Sequence, residues 1–277
     1  MAYRKPGMNE AKIVRLYKKG RGQGRGADYL PWLTIYDLAS LGRSHRVFGL
    51  KTGRIHHFLS DGEWRTFLHL DWCEDVADIR EQFPLDRDHT RRIADSLGIR
   101  HPIDSISQTL QVMSTDFLID VWRDGKLRLE ACAVKRSEDL ENKRTMAKLE
   151  IEHRYWAERD VPWHLLTERD FNPVVTKNLQ WLRSLSFQKQ REPWCGFHQE
   201  QAEAVLRAVP RCGSLSLREF CQHMDGDLDL EVGSTLTLIR HLLLIRSLDA
   251  DLMRPLNDRR SMGDFRVRSP LAGREVG

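Results

Sequence analysis

Asp116 and Lys135 stand near the two ends of the segment STDFLIDVWRDGKLRLEACAVK, whose pattern folds it back on itself. Two apolar runs flank Arg123-Asp124-Gly125-Lys126, and an Asp-Gly pair between such runs is a strong two-residue hairpin signal because both turn positions take positive φ. Closing the hairpin there brings the start of its first strand beside the end of its second. Side chains alternate along a strand, so Lys135 shares a face with Ala133 and Ala131, and Asp116 can share one with Leu118 and Asp120. A carboxylate and an ammonium at one sheet edge can hold a divalent cation and an attacking water, which is chemistry suited to phosphodiester hydrolysis.

The rest of the chain bounds what that hairpin can serve. Its 277 residues, 40% hydrophobic and 30% charged, describe a soluble globular protein of one large domain or two ordinary ones. No run approaches the roughly 20 apolar residues of a membrane span, since LIRHLLLIRSL is short and broken by arginines. The N-terminus has no apolar signal region, so a cytoplasmic location without membrane attachment is expected. Five cysteines, an odd number with no CxxC pair, point to reduced thiols rather than a disulfide framework or zinc site. A net charge of +4 permits a polyanionic partner, but local patches must identify it.

Several elements must position the acid and the lysine. NEAKIVRLYKKG places Ile13, Leu16 and Tyr17 at helical spacing. GRGQGRGADYLPW follows, its glycines interleaved with Arg21 and Arg25; no strand precedes it and no GK[ST] completes a phosphate loop, so it reads as a mobile basic arm able to lie along a DNA backbone. HRVFGL and RIHHFL flank Lys51-Thr52-Gly53 as a second hairpin. Arg43, His45, Arg46, Lys51, Arg54, His56 and His57 crowd it, either to bind phosphate or to solvate an outer face. Ser60 and Glu63 then open a helix carrying Trp64, Phe67, Leu68 and Trp72, and match the S-x-x-E capping box, in which the glutamate bonds a backbone N–H. The residues alone favour capping over catalysis there.

DVADIREQFPL reads as a strand in which Arg80, Glu81 and Gln82 are polar residues in apolar company. Residues 86–108 are helix-like, with a stop at Gly98. After Lys135, SEDLENKRTMAKLEIEHRYWAERD reads as one long helix, with Leu140, Met146, Leu149, His153 and Trp156 on its buried face and the charges solvated. VPWHLLT is a buried strand. Strand, helix and strand make a crossover, so the sheet is mixed with this helix packed on it.

Composition shifts near residue 170, giving domains of 1–168 and 169–277. NPVVTKNLQWLRSL reads as a connecting helix and SFQKQREPWCG as a linker. Three further helix signals, HQEQAEAVLRAV, SLREFCQHM and EVGSTLTLIRHLLL, precede a β-wing expected within LIRSLDADLMRPL. That makes a winged helix, followed by a basic, mobile tail. Its third helix offers only Arg240 and His241 to DNA, which favours protein docking or weak DNA contact over base reading.

The segments GRGQGRGADYLPWLT, KTGRIHHFLSDGE, DIREQFPL, QVMSTDFLID, VK, KLEIEHRYW and NPVV, in this order and spacing, resemble the TnsA family, the endonuclease subunits of heteromeric cut-and-paste transposases. The resemblance is dense from about Gly20 to Trp181. It implies an α/β fold of the restriction-endonuclease type, a mixed sheet with flanking helices, followed by the winged-helix domain. It implies catalytic roles for Glu63, Asp116 and Lys135, so that catalysis overtakes capping at Glu63. It also implies one or two Mg²⁺ ions, replaceable by Mn²⁺, held by Glu63, Asp116 and the backbone carbonyl of Val134. The reaction implied is cleavage of the 5′, non-transferred strand at transposon ends in double-stranded DNA. A TnsB-like transposase and a TnsC-like AAA+ ATPase, the latter docking on the C-terminal domain, are the partners implied. One departure stands out: the position two before the lysine usually carries an acid or amide, and here it is Ala133. That departure invites a second reading, a catalytically impaired adaptor between the two partners. A third, a stand-alone restriction-type nuclease, fits the docking domain less well.

Overall fold

The structure, a computed structural model, describes residues 8–37, 43–184 and 199–268. Its chain divides into two compact units, Met1–Phe171 and Asn172–Gly277.

In the first unit, helix α1 (Glu10–Lys18) precedes the hairpin β1 (His45–Phe48) and β2 (Ile55–Phe58), helix α2 (Asp61–Trp72) and strand β3 (Val76–Pro84). Helix α3 (Arg87–Ser96), the hairpin β4 (Ser114–Arg123) and β5 (Lys126–Val134), helix α4 (Lys143–Ala157) and strand β6 (Trp163–Leu166) follow. The central sheet has the order β3-β4-β5-β6, antiparallel except for the parallel β5–β6 pair closed by the α4 crossover. Asp124 (φ 52°) and Gly125 (φ 71°) form the tight turn between β4 and β5, and the register runs from Arg123 opposite Lys126 to Phe117 opposite Cys132. Strand alternation divides the core. Phe117, Ile119, Val121, Cys132 and Val134 meet Phe58 and Phe67, on the side of α2. Leu118 and Ala131 face Ile93 and Ala94 of α3 and Ile151, Tyr155 and Trp156 of α4. This mixed sheet with flanking helices fits a restriction-endonuclease-like fold.

Two expectations about the backbone of the first unit need correction. The glycine-rich segment is no mobile arm: Gly26 N donates to Asp78 Oδ1 (3.2 Å), Trp32 N donates to the Gln82 carbonyl (3.1 Å), and Trp32 is buried. At Gly22 (φ 79°) a Cβ would lie 2.2 Å from Pro84, so only glycine lets the loop press against β3. The single long helix after Lys135 is broken. A 3₁₀ turn covers Ser137–Glu141, and Asn142 caps α4 by accepting from Arg144 N and Thr145 N, an alternative that asparagine offers the backbone and a helix interior does not. Leu140 therefore lies outside α4, Met146 and His153 are exposed, and the buried face is Leu149, Ile151, Glu152, Tyr155 and Trp156.

The second unit holds α5 (Pro173–Arg183), α6 (Gln199–Ala208), α7 (Leu217–Asp227), α8 (Ser234–Leu244) and a two-stranded ribbon of β7 (Leu248–Ala250) and β8 (Phe265–Val267). Helix α5 is part of this unit rather than a connector, because Asn178 donates to the carbonyls of Leu252 and Arg254 and accepts from Leu256 N. The ribbon's second strand comes from what reads in sequence as a basic tail, so that tail is ordered at least through Arg268. Arg240 donates to the Trp181 carbonyl and Ser184 Oγ, and His241 is buried, so both side chains serve this unit's own packing. The expected linker, 186–196, and the last residues of the tail, 269–277, lie outside the described residues. Among the described residues no helix is long and apolar enough to cross a membrane, and Cys73, Cys132, Cys212 and Cys221 are free thiols.

Candidate active site

The structure brings Glu63, Asp116 and Lys135 together. Asp116 sits near the start of β4 and Lys135 directly after β5, where the hairpin's register returns the chain to the same end of the sheet. Lys135 Nζ lies 3.0 Å from Asp116 Oδ2, the oxygen that also accepts from Val134 N at 2.7 Å. The ammonium donates as well to the Val134 carbonyl (2.7 Å), the oxygen assigned above to a cation. Glu63 enters from the first turn of α2. Ser60 Oγ caps that helix by accepting from Glu63 N (3.2 Å), while the carboxylate accepts from Ser60 Oγ (2.8 Å) and Leu59 N (3.0 Å). Glu63 thus secures the turn and remains at the site. Ala133 is fully buried and brings no polar side-chain atom.

Two further residues join them. Gln82 Nε2 lies 3.3 Å from both Glu63 Oε2 and Asp116 Oδ1, spanning the two acids, and its Oε1 accepts from Ser114 Oγ (3.0 Å). Its φ of 48° departs from strand geometry, between Glu81 opposite Phe117 and Phe83 opposite Thr115. The polar run Arg80-Glu81-Gln82 was the one sequence signal for it. The second is Glu152 of α4, buried and accepting from Thr115 Oγ1 and from Trp163 Nε1 (3.1 Å). Nothing in the charged sequence of α4 set it apart from the solvated glutamates around it.

Three carboxylates therefore act on one ammonium, Asp116 by direct contact and Glu63 and Glu152 through their charge. Burial, then the charge of Asp116, pushes Glu63 up to about 7, and the same two causes push Glu152 up to about 7. Burial draws Lys135 down, but Asp116, Glu152 and Glu63 outweigh it and raise it above the ordinary lysine value. The site is short of positive charge. Among the described residues no three His, Cys, Asp or Glu side chains form a ready metal cage. Oxygen donors from one or two carboxylates, with room left for water and substrate, are what Mg²⁺ asks of a protein, so the residues present fit that ion.

One residue before Gln82, the charge balance differs. Glu81 is fully buried and accepts from Arg54 through both oxygens, from His56 Nδ1 (2.8 Å) and from His57 N (3.1 Å). Burial pushes its pKa up, but His56 and Arg54 more than reverse this and hold it far below the ordinary glutamate value. Arg54 and His56, assigned in sequence to a phosphate-binding or solvated face, are thus turned inward.

The TnsA-like endonuclease N-terminal family matches residues 73–168, and the TnsA endonuclease C-terminal family matches residues 170–252. The chain is 43% identical over 242 residues to the transposon Tn7 transposition protein TnsA of Escherichia coli, covering 87% of this chain and 86% of that protein. The chain belongs to the TnsA family. Asp116, Lys135, Gln82 and Glu152 all lie within the first TnsA match, whereas Glu63 lies ten residues before it and is tied to it in space by Gln82. The TnsA C-terminal match begins beside the division between the two units.

Proposed function

We propose that this protein is a divalent-cation-dependent DNA endonuclease, acting in the cytoplasm, that cuts the 5′, non-transferred strand at transposon ends during cut-and-paste transposition. A TnsB-like transposase brings it to the ends, and a TnsC-like ATPase docks on its C-terminal unit, a winged helix of α6, α7, α8 and the β7–β8 ribbon. The observation that carries the reading is the convergence of Glu63, Asp116 and Lys135 in a TnsA-family chain, with more acid than base. Glu63 and Asp116 hold the cation, Mg²⁺ or Mn²⁺. When bound, that ion supplies Lewis-acid charge beside the scissile phosphate. Lys135 Nζ holds the attacking water by hydrogen bond and offsets the charge that develops on the phosphoryl oxygens. Asp116 orients that ammonium, and its bond to Val134 N fixes the carboxylate in place. Glu152, buried on α4, adds to the field that keeps Lys135 protonated.

A polyanionic substrate is also supported by a groove lined by Arg100, Ser105, Gln108, Gln111, Arg144 and Lys148. Lys148 is lowered below its ordinary pKa by burial and by the charges of Arg144 and Lys135, so this groove lies within electrostatic reach of the site. Three cations beside hydroxyl and amide donors suit DNA phosphates. The test is to map 5′ ends on a transposon-end plasmid incubated with the protein, its partner transposase and ATPase, and Mg²⁺. Cleavage by wild type and none by Asp116→Ala is expected; identical products from the two would sink the nuclease reading. Ala133 favours the second reading, an adaptor impaired in cleavage, which predicts no 5′ cut from wild type.

A further inference from the structure

We infer that Gln82 supplies the site with the polar group that Ala133 cannot: its amide N–H ties Glu63 to Asp116 when no cation is bound, and its amide oxygen is a ligand when one is. The inference rests on the endonuclease reading above and assigns a role to a residue outside the acid, acid and lysine set.

Four observations converge on it. Gln82 Nε2 is the one described side-chain group that bonds both acids, and each contact, at 3.3 Å, is long for an N–H···O bond and correspondingly easy to give up. A donor between two carboxylates does part of what a cation does, but a neutral amide leaves their charge in place to attract one. The far end of the amide meets Ser114 Oγ (3.0 Å). A hydroxyl can donate or accept, so the amide can turn through half a rotation, present its oxygen to the acids' side and keep the serine bond as a donor. Finally, Gln82 is buried with φ 48°, a left-handed conformation that is strained for a non-glycine residue and persists where its surroundings over-determine it. Those surroundings are the Trp32 N–H on its carbonyl and the Arg54–Glu81–His56 cluster one residue earlier. The left-handed turn of the backbone brings the glutamine to the acids, beside Glu81 and its separate partners.

Full-length Gln82→Leu and Gln82→Glu separate this role from simple packing. Both lose the amide donor, and both are expected to melt at a lower temperature than wild type without metal. With Mn²⁺, monitored by the paramagnetic resonance signal of the free ion, they should diverge: Gln82→Leu, having no oxygen, binds roughly tenfold more weakly, and Gln82→Glu, keeping one and adding charge, roughly tenfold more tightly. Should either variant fail to fold, the affinity of the other decides alone. A purely structural Gln82 would lower the melting point by the same amount with and without Mn²⁺ and leave its affinity unchanged, which would overturn the inference. Asp116→Asn is the companion measurement. If it weakens Mn²⁺ binding while the Gln82 variants do not, the endonuclease reading stands and this inference falls; if it leaves Mn²⁺ binding intact, both fall.

Discussion

Glu81 and Gln82 are adjacent on β3, yet the charge clusters they belong to are balanced in opposite ways. Around Glu81, a guanidinium, an imidazole and a backbone N–H saturate a buried carboxylate. Around Gln82, Glu63 and Asp116 are set against one ammonium, with the charge of Glu152 added from α4, and two of the three acids are pushed up to about 7. A carboxylate given all its donors is a structural member and has nothing left to offer a ligand. A set of carboxylates given mostly neutral donors and a single ammonium keeps a deficit of positive charge that a bound cation makes up.

The largest effects should come from exchanging the two clusters' fates. Asp116→Ala is expected to reduce cleavage about a thousandfold or more while leaving the melting temperature close to wild type, since it removes one of several crowded acids. Arg54→Ala should do the reverse in kind. It strands Glu81 in the core and costs about 3–5 kcal/mol, read by urea unfolding, with activity falling only as folded protein is lost. If Arg54→Ala left stability intact and abolished cleavage, the division between a structural and a reactive cluster would be wrong.

A smaller effect is expected from pH. The folded-state values of Glu63 and Glu152 lie above their ordinary range, so their contribution to stability is fully present below about pH 4.5 and is lost as pH rises through about 7. Metal-free protein should therefore lose stability across that window, while Mn²⁺ affinity rises over it because the ion needs the ionised acid. Glu63→Gln should flatten much of both profiles. A metal-free melting temperature that climbs steadily from about pH 5 to pH 8 would contradict the raised values.

The mildest change should be in the groove. Arg144→Gln with Lys148→Gln is expected to weaken duplex binding severalfold and to reduce the slope of log affinity against log salt by about 2. Lys126→Gln with Arg128→Gln, at the turn end of the β4–β5 hairpin, should change that slope much less. Equal losses from the two pairs would mean that overall charge, rather than this groove, governs binding.

How much of this could be read in the sequence follows from how local each signal is. Asp124-Gly125 between apolar runs determines the hairpin, its register and hence the meeting of Asp116 with Lys135. The strand–helix–strand order likewise determines a mixed sheet. Glu63 was ambiguous for a physical reason, since its carboxylate does bond the helix start while facing the site. Arg54 and His56 looked like surface cations because the acid that turns them inward is 25 or more residues away. Gln82 is flagged in sequence only as a polar residue in apolar company and Glu152 not at all: one depends on a single backbone torsion that breaks strand alternation, the other on which face of a charged helix meets the sheet. The glycine-rich loop reads as a mobile arm because repeated Arg and Gly offer no apolar pattern, while the residues that hold it, Asp78 and Pro84, lie more than fifty positions away.

The parallel pairing of β5 with β6 has a consequence in time. The antiparallel register of β4 with β5 ends at Cys132, and beyond it Ala133 and Val134 pair with Leu165 and Leu166, while Lys135 N donates to the Leu166 carbonyl (3.0 Å). The backbone that aims the lysine is thus completed by residues about thirty positions later, across the α4 crossover. A growing chain that has made its hairpin holds the acid and the lysine but has not fixed the second against the first. Cutting ability should arise late in synthesis, when the first unit is all but finished.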